Sequence, residues 1–259
     1  MKNALEKLGT NLRIYLAYKG LQINALKYQL LIVGRQFLAD IEQSDTLSVN
    51  FLGNQLVEEE NVKLLGVTID KSLNFSQHVD QLIAKCQLNL SFLWRTGAQL
   101  EFQHRKMLAN AIVTPHLDYC SSLYHIFISK REINRIESLQ YRIMRFVCGI
   151  KRNERVSATH LREKLNWDTC YSRRQQKLFC TIYSALRSSD CPIYLNRLIH
   201  QNTAYNTRFQ TQLAAYNNKY SRCTFNYIYC NQFVKLPGSV INSETLECFG
   251  KNLIEYYRQ

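Results

Sequence analysis

The chain has 259 residues, 46% of them apolar and 12% aromatic, with three prolines and nine glycines. That is enough apolar material for one large cored domain or two modest ones, and it excludes disordered, fibrous and low-complexity proteins. The net charge of +13 favours polyanionic partners, nucleic acid before acidic membrane; a basic soluble protein without such a partner is the plainer alternative.

Residues 4–19 predict a helix with Leu5, Leu8, Leu12 and Tyr15 on one side, ended by Gly20. After the turn-like Ile23-Asn24, the run Tyr28 to Val33 reads as a strand. Leu47, Val49 and Phe51 alternate with Ser48 and Asn50, Gly53-Asn54 signals a hairpin, and Gln55-Leu56-Val57 returns. Lys63 to Asp70 reads as a further strand. Beyond Asp70 the period becomes helical: Val79, Leu82, Ile83, Cys86, Leu90 and Leu93 share one face. More helices are predicted at about 102–113, stopping before Pro115, and at 131–148, 157–166 and 170–187. Pro237-Gly238 marks a turn, and a last helix falls near 244–257. This is an α+β layout, with a small mixed piece at 1–70, helical pieces at 71–128 and 129–190, and a tail at 191–259 with a closing helix.

Nine scattered cysteines form no CxxC pair, and the six histidines complete no zinc spacing. They read as reduced thiols of an intracellular protein, in nucleus or cytoplasm. The first residues hold no apolar core of a signal peptide, and no apolar run is long enough to span a bilayer. A secreted or membrane-embedded protein is therefore not expected.

The charge is concentrated. Between Lys130 and Lys177 thirteen Lys or Arg face five acids. At ~100° per residue, Arg135, Arg142 and Arg145 fall about 40°, 20° and −40° from Arg131, opposite Ile133, Ile136, Leu139, Ile143, Met144 and Val147. Lys151, Arg152 and Arg155 follow directly. The planar guanidinium makes paired, charge-assisted bonds to phosphate, so Arg131, Arg135, Arg142, Arg145, Lys151, Arg152 and Arg155 are candidate nucleic-acid-binding residues. A solvated face of an ordinary amphipathic helix is the alternative.

The order of segments resembles the reverse transcriptases of non-LTR retrotransposons, jockey-like elements of the LINE type in particular. Gly20-Leu21-Gln22-Ile23-Asn24-Ala25-Leu26-Lys27 is similar to that family's Gly-Leu-x-x-Asn-x-x-Lys-Thr segment (motif D), with Tyr28 at the threonine. Val62-Lys63-Leu64-Leu65-Gly66-Val67-Thr68-Ile69-Asp70 resembles the primer-grip segment (motif E), with Leu64 at its aromatic position. Leu73-Asn74-Phe75 with His78 looks like the start of the thumb, with Phe75 for the usual tryptophan. Val113-Thr114-Pro115-His116-Leu117-Asp118-Tyr119, Leu139-Gln140 with Arg145, Leu236-Pro237, and Leu246 with Phe249 match later segments in the same order.

The resemblance implies the end of a polymerase palm (a few antiparallel strands and a helix), then a helical thumb and a helical C-terminal extension. It assigns the primer grip to Leu65 and Gly66, where a glycine lets a hairpin approach nucleic acid; a strand glycine forced by packing is the alternative. It gives Lys27 a general-acid role toward leaving pyrophosphate, vestigial in this chain, against a plain exposed lysine beside a strand. His78 and His116 are expected to cap or pack.

The polymerase chemistry itself is missing. Nucleotidyl transfer uses two metal ions held by carboxylates, Mg²⁺ in the intact parent enzyme. The seven aspartates, at 40, 45, 70, 80, 118, 168 and 190, include no adjacent pair, and Glu58-Glu59-Glu60 reads as a solvated turn. No catalytic residue, metal site or cofactor is therefore expected in this chain. Three functions stay open: an inert truncated copy of a mobile element, a retained module that binds an RNA–DNA hybrid or other duplex without regard to sequence, or one part of a polymerase whose catalytic motifs lie upstream of Met1.

Overall fold

A computed structural model describes residues 2–22, 24, 27–33, 48–97, 99–151, 153–187, 191–194, 228 and 231–258. They are mostly helical, with two small antiparallel sheets, which is the α+β class in its coarse sense. The chain divides into two compact units, Met1–His78 and Val79–Gln259.

In the first unit helix α1 (Lys2–Tyr18) stops at Gly20, whose φ of +70° suits glycine. The face predicted to pack is not the one that does. Leu8, Leu12 and Tyr15 are exposed, and the helix meets its neighbour at Gly9, where an added Cβ would lie 2.6 Å from Cε2 of Phe51. A residue without a side chain is what lets that ring lie against the helix backbone.

Phe51 ends β1 (Ser48–Phe51), which pairs with β2 (Asn54–Val57) in the register Phe51↔Asn54. Strands β3 (Asn61–Leu64) and β4 (Val67–Asp70) pair with Leu64↔Val67 in register. Both hairpins turn through a leucine and a glycine at positive φ: Leu52 (53°) with Gly53 (84°), and Leu65 (47°) with Gly66 (85°). Two consecutive positive φ values define the type I′ loop, whose twist matches that of the strands. Each leucine there carries about 1–2 kcal/mol of strain. The single strand predicted at Lys63–Asp70 is thus a hairpin, and the first turn falls one residue earlier than Gly53-Asn54. The strand predicted at Tyr28–Val33 is reduced to one parallel bridge, Leu30↔Glu58. The residues after β2 and before β3 are few, so they offer Leu30 little free backbone to pair with.

Asp70 shapes the exit from β4. Its Oδ1 accepts from the Ser72 amide (3.0 Å), the Ser72 hydroxyl (2.5 Å) and the Asn74 amide (3.1 Å), and its Oδ2 from the Phe75 amide (2.6 Å). Burial pushes this carboxyl up, but the bonds from Ser72, Asn74 and Phe75 outweigh it and hold the group below the usual carboxylate range. His78, buried at the start of α2 (Ser76–Gly97), takes the Thr68 amide on Nδ1 at 3.4 Å, so it packs and pairs as expected.

The second unit continues α2 and adds α3 (Phe102–Ile112), α4 (Thr114–Asp118), α5 (Ser121–Tyr124), α6 (Lys130–Cys148), α7 (Ala158–Leu165) and α8 (Cys170–Arg187). Near its end come α9 (Gly238–Ile241) and α10 (Leu246–Arg258). Pro115 does more than stop α3, because it stands in the first turn of α4, where a missing N–H costs nothing. The predicted α2 face is buried throughout: Val79, Leu82, Ile83, Cys86, Leu90 and Leu93. On α6 Ile136, Leu139, Ile143, Met144, Phe146 and Val147 are buried, each burial stabilising by about 1.5–3 kcal/mol. A second cluster joins Leu178, Phe179, Ile182 and Tyr183 of α8 to Phe249 and Leu253 of α10. There Tyr183 stacks on Phe249 at 4.4 Å.

One cation lies inside this core. Arg174, 2% exposed, donates from Nη2 to the Leu117 carbonyl (2.9 Å) and to the Tyr124 hydroxyl (3.3 Å), with its guanidinium over the Tyr124 ring. Beside it His125 is buried edge-on to Tyr171. Burial and then the Arg174 charge push His125 down to about 4 from its ordinary 6.5. The unfolded chain therefore binds a proton here that the folded chain refuses, and stability falls as pH drops from 6.5 toward about 4. At about 1.36 kcal/mol per unit the loss is about 3 kcal/mol. A His125→Phe variant, which keeps a ring against Tyr171, should lose less stability over that range than the wild type in urea melts at graded pH; equal losses would contradict this.

Gly149 ends α6 at φ +69°, its N–H bonded to the Arg145 and Phe146 carbonyls. An added Cβ would also meet Arg105 Nη2 at 2.7 Å. Gly149→Ala should destabilise the chain by about 1–2 kcal/mol from the backbone alone, read as a lower urea midpoint with an unchanged slope.

Candidate nucleic-acid interface

The basic face is built on α6, and both ends of that helix are held. At its start the Ser129 hydroxyl accepts from the Glu132 amide (3.3 Å) and the Ser129 amide donates to the Glu132 carboxylate (2.7 Å), a capping box. At its end Arg105 Nε donates to the Val147 carbonyl at 3.0 Å, a cation at the negative end of the helix dipole. With the apolar side buried, the orientation of every arginine on α6 is set.

The predicted stripe divides. Arg131 and Arg142 are exposed and form no ion pair with a described residue. Arg135 pairs with Asp80 at 2.6 Å, a solvent-exposed pair of small net worth. Arg145 turns toward the loop after α6. It donates to the carbonyls of Lys151 and Glu154 (2.9 Å for the latter) and to the Tyr141 hydroxyl at 3.1 Å. Tyr141 in turn donates to the Val156 carbonyl at 2.8 Å. The Arg145–Tyr141 pair thus fixes the loop that carries the exposed Lys151 and Arg155; Arg152 lies outside the described residues.

Three other cations of the Lys130–Lys177 stretch serve the fold. Arg173 and Lys177 both reach Asp118 at 3.3 Å, and Arg174 is the buried residue described above. Local spacing along the sequence gives no sign of these roles, because each partner lies at least fifty residues away.

In the first unit Lys27 is exposed, with its amide bonded to the Asn24 carbonyl at 3.1 Å. Leu65 and Gly66 form the tip of the β3–β4 hairpin, where Leu65 is 83% exposed. Gly66 is therefore a turn glycine and not one forced by packing within a strand. Glu58, Glu59 and Glu60 link the two hairpins instead of sitting at a tip, with Glu59 accepting from Gln29 and Glu60 paired with Lys71. Among the described residues no three His, Cys, Asp or Glu side chains are grouped to hold a metal ion, and no helix is long and apolar enough to cross a membrane.

No family model and no solved structure matches the chain. A curated protein does so in part: the RNA-directed DNA polymerase from mobile element jockey of Drosophila funebris is 28% identical over 108 residues. The matched stretch is 40% of this chain and 12% of the relative, so the chain spans a small fraction of that protein's length. At the level of a partial relationship, this similarity supports the resemblance to non-LTR reverse transcriptases that the motifs carry.

Proposed function

We propose that the chain is a nucleic-acid-binding portion of a non-LTR retrotransposon reverse transcriptase, comprising the end of the palm, the thumb and a helical extension, without polymerase activity of its own. Its partner is duplex nucleic acid, an RNA–DNA hybrid above all, gripped through the backbone without regard to sequence. The observation that carries this reading is the exposed basic face of α6 and its following loop, Arg131, Arg142, Lys151 and Arg155, on a chain similar to a mobile-element polymerase. The two-residue hairpin at Leu65-Gly66 has the compact, exposed tip that a primer grip requires, and in this reading it belongs to the palm portion. The carboxylates and their Mg²⁺ ions belong to the remainder of such a polymerase.

Two outcomes follow. The purified chain should incorporate no nucleotide above a mock-purified background on any primed RNA or DNA template, with Mg²⁺ or Mn²⁺; incorporation above that background would overturn the inactive assignment. Replacing Arg131, Arg135 and Arg142 together by Gln should preserve the melting transition, since none of them supports the core. It should also flatten the slope of log K against log salt for B-form DNA by roughly 2–3 units, at about 0.9 for each phosphate no longer neutralised. Arg145 is left in place because its removal would free the loop. Fluorescence anisotropy across a salt series measures the slope, and an unchanged slope would reduce this face to a solvated one.

A further inference from the structure

A cleft of about 600 Å³ opens between α2 and α6, lined by Gln87, Leu90, Ser91, Trp94, Arg142, Arg145 and Ile150. Two guanidinium groups border it and, among the described residues, no carboxylate does. Trp94 is 37% exposed, and its indole is braced edge-to-face on Phe146 with ring centroids 5.3 Å apart. A large ring held by packing yet open to solvent is a stacking platform that loses little rotamer freedom when a ligand arrives. Gln87, Ser91 and Trp94 stand at i, i+4 and i+7, so an amide, a hydroxyl and the indole share one helix face. Neither Gln87, Ser91 nor Arg142 has a side-chain hydrogen bond to another described residue. Arg145 is pinned by the loop carbonyls and adds fixed positive charge to the wall.

We infer that this cleft binds an unpaired nucleotide of a single strand, the base against Trp94 and a flanking phosphate at Arg142. The set of groups matches that ligand part by part: a flat π-face for the base, amide and hydroxyl groups for its edge, and a free guanidinium for the phosphate. A duplex cannot supply the base, because its faces are stacked on their neighbours. The inference rests on the reading of the chain as a nucleic-acid-binding protein, and it adds a single-strand site beside the duplex-binding face.

The chain holds two tryptophans, so in a Trp167→Phe background Trp94 is the sole indole reporter. The full chain would be titrated with a short single-stranded oligonucleotide, with a blunt duplex of the same sequence, and with AMP. The single strand should quench Trp94 and AMP should do so only at far higher concentration. The duplex should bind by anisotropy without quenching. Trp94→Leu, in the wild-type background, should weaken single-strand binding by about 5- to 150-fold, the range of one stacked base, and leave duplex binding unchanged. Trp94→Phe, which keeps a ring on Phe146, should retain most of the single-strand affinity and guards against a folding defect in the leucine variant. Absence of quenching by the single strand would overturn the site, as would unchanged single-strand affinity in both Trp94→Leu and Arg142→Gln, or AMP binding as tightly as the oligonucleotide. Duplex binding without single-strand quenching removes this site and leaves the duplex-binding reading standing. Quenching by the single strand with no duplex binding has the opposite meaning.

Discussion

Helix α6 is fixed at both ends by hydrogen bonds that cannot be satisfied in another register. Ser129 and Glu132 close its first turn, while Gly149 and Arg105 take up its last carbonyls. Between these ends the buried face from Ile136 to Val147 decides which way the helix is turned. A rotation by one residue would bring charged side chains into the core at a cost far above the gain from any single contact. The direction of Arg131 and Arg142 into solvent, the inward turn of Arg145 and the opening of the cleft beside Trp94 all follow from that one constraint.

Arginine has separate duties within the second unit. Arg174 lies within the core on a carbonyl, a hydroxyl and a tyrosine ring, and its charge helps to keep His125 neutral. Arg145 and Arg105 bind backbone carbonyls at the C-terminal end of α6 and in the loop beyond it. Lysine would serve poorly in these places, because a guanidinium reaches several acceptors in one plane. Arg131 and Arg142, with Lys151 and Arg155 of the loop, stay exposed and form the face proposed to meet a polyanion; Lys130 and Lys164 are exposed as well. The net charge of +13 thus overstates the surface proposed to bind nucleic acid, since a share of it serves the fold.

The helices were legible because a 3.6-residue apolar period is a strong local signal; α8 falls on the predicted 170–187. Their caps at Ser129, Ser157, Thr169 and Thr245, and the left-handed Gly149 and Asn166, could have been read by the same local rules. The hairpins were less legible. Their loops place leucine where Asn or Asp usually precedes the glycine, so Gly53-Asn54 looked like the turn and Leu65-Gly66 looked like strand. For α1, burial at Gly9 depends on Phe51 arriving from another element, which no helical period can announce. The fate of Arg174, and the role proposed for Trp94, depend likewise on which element packs beside them, whereas the partners of Arg145 lie within nine residues of it.

The arginines divide into those that hold the fold and those proposed to grip phosphate. Arginine-specific modification by a dicarbonyl reagent, mapped by mass spectrometry with and without an RNA–DNA hybrid, tests this division directly. Arg131 and Arg142 should react in the free chain and be shielded by the hybrid, while Arg174 stays unreactive in both states. Reaction of Arg174 in the folded chain, or equal reaction of Arg131 and Arg142 with the hybrid bound, would contradict the account.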